Sequence, residues 1–407
     1  MCLKAARFFL ALGIVAGQTA TWEQLIASGG RFQAEGRYAE AETAFRSALE
    51  KAESSAKPLQ VARSLNELAM LLQIRGDFLR AAELYRRALA IWETSPEQLN
   101  LAAVLNNLGN VYGAEAQYDK AEPLFRRALE IQMRISGPES RGVADTLSNL
   151  GSLQYARARY AEAESTFRQV MAIWERLLSP EDPRLAETLC SLGRVCFAVG
   201  RYSEAERLYQ RALSIREKAL GSEHPETTRI LNQMAKLYLF EKQYGKAERL
   251  LAKVIRIWEV ALGPEHPEMA VALTNLAWAY SGESRYADAE ALMRRVLSIC
   301  EKSLGPEHPQ VFRTLSNLAR TYYLQSRYQD AEPLYVRALK IGEHSLGPAH
   351  PDVVATLYNY AEVLRKVHRK SEARKIEARV RELRSKSDRD NPSRFEVDWR
   401  DLQQTAK

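Results

Sequence analysis

Five asparagines, Asn107, Asn149, Asn275, Asn317 and Asn359, stand at multiples of 42 residues from one another, each just before a large apolar or aromatic residue. Gln233 fills the same slot once, while Ser191 and Glu67 interrupt the row. Asn is a few tenths of a kcal/mol poorer than Ala inside a helix, so its repetition calls for a compensating interaction. A carboxamide offers both a donor and an acceptor and can pair with both polar groups of an extended peptide backbone. The same groups could equally bond to a neighbouring segment and stiffen the fold.

Three residues beyond each amide lies a variable slot that holds Asn110, Ser152, Arg194, Lys236, Trp278, Arg320 and Glu362. Arg229 and Arg313 sit one helical turn before Gln233 and Asn317 and face the same way. Together, Arg194, Arg229, Lys236, Arg313 and Arg320 would favour acidic side chains through charge-assisted hydrogen bonds. An ordinary solvated helix face is the competing reading.

Other reactive residue types lead elsewhere. His224, His266, His308 and His350 are spaced by 42 residues. Helices pack about 8–10 Å apart, whereas zinc ligands lie about 2 Å from one ion. These histidines are therefore expected to fix the loop before a helix and not to share a metal. Cys190 and Cys196 are too far apart on one helical pattern for a disulfide, and Cys196 reads as a small buried residue. The pairs Glu42–Arg46, Glu122–Arg126, Glu164–Arg168 and Glu290–Arg294 read as surface helix pairs worth about 0.2–0.5 kcal/mol each. No phosphate-binding glycine loop, nucleophile elbow or metalloprotease motif occurs, so neither an enzyme nor a cofactor is expected.

The positioning elements follow from the same period. Gly-Pro-Glu-His-Pro occurs at 263–267 and 305–309, with relatives at 221–225 and 347–351; Ile131, Ile173, Ile215, Ile257, Ile299 and Ile341 form a second ladder. In one unit, Leu273, Leu276, Ala277 and Tyr280 share a helix face, and Ala289, Met293, Val296 and Ile299 share the next. Gly305 is placed to end that second helix in a left-handed conformation, Pro306 blocks its continuation, and Pro309 suits the first turn of the next helix. Second helices are expected near Tyr38, Phe78, Tyr118, Tyr160, Tyr202, Tyr244, Tyr286, Tyr328 and Lys370, giving nine hairpins. One hairpin cannot bury its own apolar face, so the units must stack.

At these positions the chain resembles the tetratricopeptide repeat, in the 42-residue variety of the kinesin light chain. The small first-helix residue matches Gly109, Gly151, Gly193, Ala235, Ala277, Ala319 and Ala361, preceded by Leu108, Leu150, Leu192, Met234, Leu276 and Leu318, with Tyr360 departing. The second-helix alanine matches Ala121, Ala163, Ala205, Ala247, Ala289, Ala331 and Ala373. The resemblance implies an all-α solenoid, a right-handed superhelix of about nine stacked hairpins whose concave face holds extended peptides, with asparagines that grip ligand main chain. A non-catalytic protein-interaction scaffold follows, with a protein or peptide partner that is acidic if the basic slots face it.

Composition bounds the rest. The 407 residues carry a net charge of +7, and residues 365–389 alone hold 11 basic and 4 acidic side chains. The ninth unit, with Lys370 in place of the starting aromatic and Glu377 at the large inner position, reads as a polar cap. Its basic helix, 370–386, offers an alternative function, docking to an anionic membrane surface or nucleic acid. Residues 1–17 read as an export signal of a bacterial cell, with Lys4 and Arg7 before an apolar run from Phe8 to Gly17; an apolar first helix of the body is the other reading. The expected organisation is a signal segment at 1–17, the array at 18–386 and a polar tail at 387–407, exported if the signal operates and cytoplasmic otherwise.

Overall fold

A computed structural model describes residues 20–390, with side chains described to residue 383. The proposed export segment and most of the tail lie outside the described residues. Eighteen α-helices, and no strands, occur among the described residues. They divide into two compact units between Ser179 and Pro180.

The first unit contains four hairpins: α1 (Trp22–Ala34) with α2 (Tyr38–Ser54), α3 (Pro58–Ile74) with α4 (Phe78–Trp92), α5 (Gln98–Ala114) with α6 (Tyr118–Ser136), and α7 (Arg141–Ala156) with α8 (Tyr160–Leu177). The second contains five: α9 (Pro183–Ala198) with α10 (Tyr202–Leu220), α11 (Pro225–Phe240) with α12 (Tyr244–Ala261), α13 (Met269–Gly282) with α14 (Tyr286–Leu304), α15 (Pro309–Leu324) with α16 (Tyr328–Ser345), and α17 (Pro351–Lys366) with α18 (Lys370–Asp390). All nine second helices begin at the expected residues. The last helix runs to Asp390, past the expected boundary at 386, because nothing in the polar run 387–390 breaks a helix.

Within each unit a helix packs on its neighbours in sequence. The second-helix alanines Ala121, Ala163, Ala205, Ala247, Ala289 and Ala331 are fully buried, and the isoleucine ladder and Trp92, Trp174 and Trp258 are buried beside them. Each buried large side chain contributes about 1.5–3 kcal/mol of transfer energy. In four hairpins the first-helix small residue is a glycine that seats an aromatic ring. A Cβ on Gly193 would lie 2.6 Å from Tyr209 Cε1, and one on Gly109 would lie 2.6 Å from Phe125 Cε1.

The connections explain where each helix begins. His224, His266, His308 and His350 each accept, at Nδ1, the main-chain N–H two residues ahead, at 3.1–3.2 Å. A ring nitrogen so used satisfies one of the orphan donors of the helix N-terminus. Pro225, Pro309 and Pro351 occupy the first turn as expected, whereas α13 starts two residues after Pro267. Gly305 has φ 89° and ψ 156°, not the left-handed helical conformation expected, but a region open essentially to glycine alone. The left-handed position lies instead inside each hairpin. Ala116, Ala158, Lys242, Ser284, Ser326 and His368 have φ of 56–64° there, where Gly36, Gly76 and Gly200 serve in other repeats.

Candidate functional site

The amide row divides by unit. In the first unit it is spent on the fold: Asn107 Nδ2 donates to Asn66 Oδ1 at 3.2 Å, and Asn149 Nδ2 donates to Asn106 Oδ1 at 3.1 Å. Each bond links the first helices of consecutive repeats, which is the stiffening role. Glu67, in the same slot, is half-buried, and desolvation raises its carboxyl above the ordinary value against the pull of Arg63. In the second unit the side chains of Gln233, Asn275, Asn317 and Asn359 make no hydrogen bond among the described residues, and all are at least partly exposed. Asn232, one residue before Gln233, is 8% exposed and its Oδ1 has no hydrogen-bond partner. Leaving a buried acceptor unpaired costs about 1–3 kcal/mol.

Beside these amides runs an aromatic ladder. Phe197, Phe240 and Trp278 come from the last turns of α9 and α11 and from α13. Phe197 and Phe240 meet edge to face at 4.9 Å, and Phe240 and Trp278 at 5.2 Å. The Lys236 ammonium stands 5.2 Å from the centre of the Phe197 ring, a cation–π distance. Desolvation, followed by the charge of Arg194, pushes Lys236 below the usual lysine range. A nearby anion would offset the repulsion that Lys236 feels from Arg194.

The remaining basic residues are not equivalent. Arg313 already pairs with Asp352, Nε to Oδ2 at 2.9 Å, and Arg229 lies 3.8 Å from Glu226 on its own helix. Arg320 is exposed and enters no ion pair among the described residues. The structure therefore sets Lys236 on the aromatics, within electrostatic reach of Arg194, while Arg313 and Arg229 pair with carboxylates. Sequence reasoning missed Phe197 and Phe240 because they do not share a repeat slot with Trp278.

Residues 29–94, 100–176, 142–218, 184–259, 226–302, 280–344 and 311–386 match the profile of the tetratricopeptide repeat. The chain belongs to the tetratricopeptide repeat family. No curated protein matches. Among solved structures it is similar to kinesin-light-chain nearly identical tetratricopeptide-like repeats from Podosopora anserina, with 26% identity over 52% of this chain and 99% of that one, at a TM-score of 0.44. It is also similar to BtubC from P. vanneervenii, at 21% identity over 70% and 94% of the two chains and a TM-score of 0.40. A signal-transduction ATPase with a tetratricopeptide repeat sensor from Pyrococcus horikoshii aligns at 18% identity over 86% of this chain, at a TM-score of 0.58; this chain spans 52% of that protein's length.

Tetratricopeptide repeats are typically protein-binding scaffolds. A cleft of about 580 Å³ between α14 and α16 is lined by Arg294, Glu301, Lys302, Tyr322, Arg327 and Asp330. Its charges are paired, Arg294 with Glu290, Glu301 with Arg337, Lys302 with Glu265 and Arg327 with Asp330. On α18 the apolar stripe is used for packing, with Ala373 and Val380 buried and Ile376 and Leu383 half-buried, while Arg374, Lys375 and Arg381 are exposed. Among the free cysteines, burial pushes the Cys190 thiol up to about 11, opposite to what an activated nucleophile requires.

Proposed function

We propose that this tetratricopeptide array is a non-catalytic scaffold that binds an extended acidic segment of a protein along the first helices of its second unit. The observation that carries this reading is the Lys236 ammonium over the Phe197 ring of the Phe197–Phe240–Trp278 ladder, beside amides that the fold leaves unpaired. Aromatic faces take apolar parts of the segment, the two cations take a carboxylate, and Gln233, Asn275, Asn317 and Asn359 pair with its main chain. Residues 1–17 fit delivery outside the cytoplasm, which cell fractionation with and without that segment tests.

The binding test uses fluorescein-labelled short peptides of graded net charge, titrated with the full chain. Acidic peptides should bind, affinity should fall with added salt, and Lys236→Glu with Arg320→Glu should remove that preference. Equal affinity for basic and acidic peptides, or indifference to the double reversal, overturns the acidic-ligand reading.

A further inference from the structure

The last hairpin holds more cations than its carboxylates can pair. Arg365 takes Glu377 at 2.6 Å, Arg369 takes Glu372 at 2.6 Å, and Arg379 reaches back to Glu343 at 2.9 Å. Lys366 at the end of α17, and Lys370, Arg374, Lys375 and Arg381 on α18, are exposed and enter no ion pair among the described residues. Glu382, the other exposed acid of α18, has a contact of its own. The excess is a property of this hairpin, since residues 365–389 carry 11 basic and 4 acidic side chains.

The shape of the face selects among anionic surfaces. At 3.6 residues per turn, Lys370, Arg374 and Arg381 fall within about 40° of one another around α18. Lys375 lies about 100° beyond Arg374, on the far side of a strip made by the small residues Ser371 and Ala378. A flat surface laid on that strip meets the cations of both flanks at once, whereas a convex rod such as a duplex meets one flank. Every exposed residue from Arg365 to Glu382 is charged, polar or small, because α18 spends its apolar side on packing, with Ala373 and Val380 buried. The face thus offers no apolar side chain to enter hydrocarbon and no aromatic or aliphatic anchor for a protein partner.

We propose that this face docks the array on an anionic phospholipid membrane, with α18 lying on the headgroups and its cations paired with their phosphates and carboxylates. Docking of this kind uses charge alone, so it is reversible and weakens as salt is added. It engages no residue of the aromatic ladder and stands or falls independently of the peptide-binding reading.

The test is flotation of the full chain with vesicles of phosphatidylcholine alone and of phosphatidylcholine mixed with phosphatidylserine. The difference between the two cancels any charge-independent binding by the apolar run 8–17. The chain should float in excess with the anionic vesicles, and added salt should remove the excess. Alanine at Lys370, Arg374, Lys375 or Arg381 should each lower the partition about fivefold. Lys370→Glu, Arg374→Glu, Lys375→Glu and Arg381→Glu combined should abolish the excess. No excess in the wild type, or an excess that survives the fourfold reversal, overturns the proposal. Tighter binding to a double-stranded DNA oligomer than to the anionic vesicles at the same salt assigns the face to nucleic acid and overturns it too. Should the fourfold variant fail to fold, Arg374→Ala with Lys375→Ala decides, and a partition equal to that of the wild type overturns the docking face.

Discussion

Glu290 on α14 holds Arg327 of the following hairpin, with Arg327 Nη1 2.8 Å from Glu290 Oε2. The same carboxylate accepts from Tyr322 at 3.0 Å, Gln325 at 3.0 Å and Arg294 at 3.1 Å. Equivalent clasps join Glu122 to Arg157 and Arg159, and Glu248 to Arg285. The spacing of Glu290 and Arg294 alone suggests a surface pair of small value. The structure corrects that reading, because the glutamate is only 15% exposed and serves the next repeat.

Burial alone would raise the Glu290 carboxyl, but hydrogen bonds from Gln325, Arg294 and Tyr322 and the charge of Arg327 bring it below the ordinary 4.5. A depressed folded pKa stabilises above the unfolded value and stops doing so as pH falls through the folded one. Glu290→Gln should therefore cost about 1–2 kcal/mol at neutral pH. Its denaturation midpoint should converge on that of the wild type in acid, below the ordinary carboxylate range. A gap independent of pH would show that the clasp does not act through charge.

Two glycine-to-alanine changes should have opposite signs. Gly193→Ala drives a methyl into the Tyr209 ring and should destabilise by about 1–3 kcal/mol. Gly30→Ala meets nothing within 4 Å and should stabilise by about 0.5–1 kcal/mol through helix propensity. Urea midpoints of the two variants measure both effects.

The tight turns inside the hairpins offer a second stabilising route. Lys242 and Ser326 hold φ of 58° and 61°, where a side chain costs about 1–2 kcal/mol. Lys242→Gly and Ser326→Gly should each raise the urea midpoint, by up to about 1 kcal/mol once the added chain entropy of glycine is subtracted. No gain in either variant would mean that the turn side chains make compensating contacts.

Arginines that share a sequence pattern should differ in binding. Arg313 must leave Asp352 before it can serve a ligand, whereas Arg320 has no such tie among the described residues. Arg320→Ala should thus lower affinity for an acidic peptide severalfold, and Arg313→Ala by less than twofold. The reverse order, measured by fluorescence anisotropy, would place the ligand's acidic group over the beginning of α15 and not over its end.

The fold was legible because each local choice repeats. Nine helix starts, the buried alanine and isoleucine ladders and the histidine caps all follow from a period that no single residue obscures. The candidate site was only half legible. Position in a repeat places Asn107 and Asn275 in the same slot, facing Asn66 and Asn232, yet only the first amide is spent, so the packing of the helices decides and not the residue type. The aromatic ladder escaped because Phe197, Phe240 and Trp278 come from three different offsets and meet only once the helices are packed. The conformation at Gly305 differed because ending a helix and turning toward the next are separate requirements, and the loop geometry meets the second with a backbone shape that glycine alone tolerates.

The histidine caps have a consequence for how such a chain can grow. Each capped loop carries its own start instruction for the helix that follows, read from the ring and the two residues after it and from nothing further away. The coding unit and the folding unit therefore coincide. Between Tyr118 and Lys370, where the period is 42, a tandem duplication of any 42-codon stretch restores every local junction and lengthens the array by one hairpin in a single genetic event.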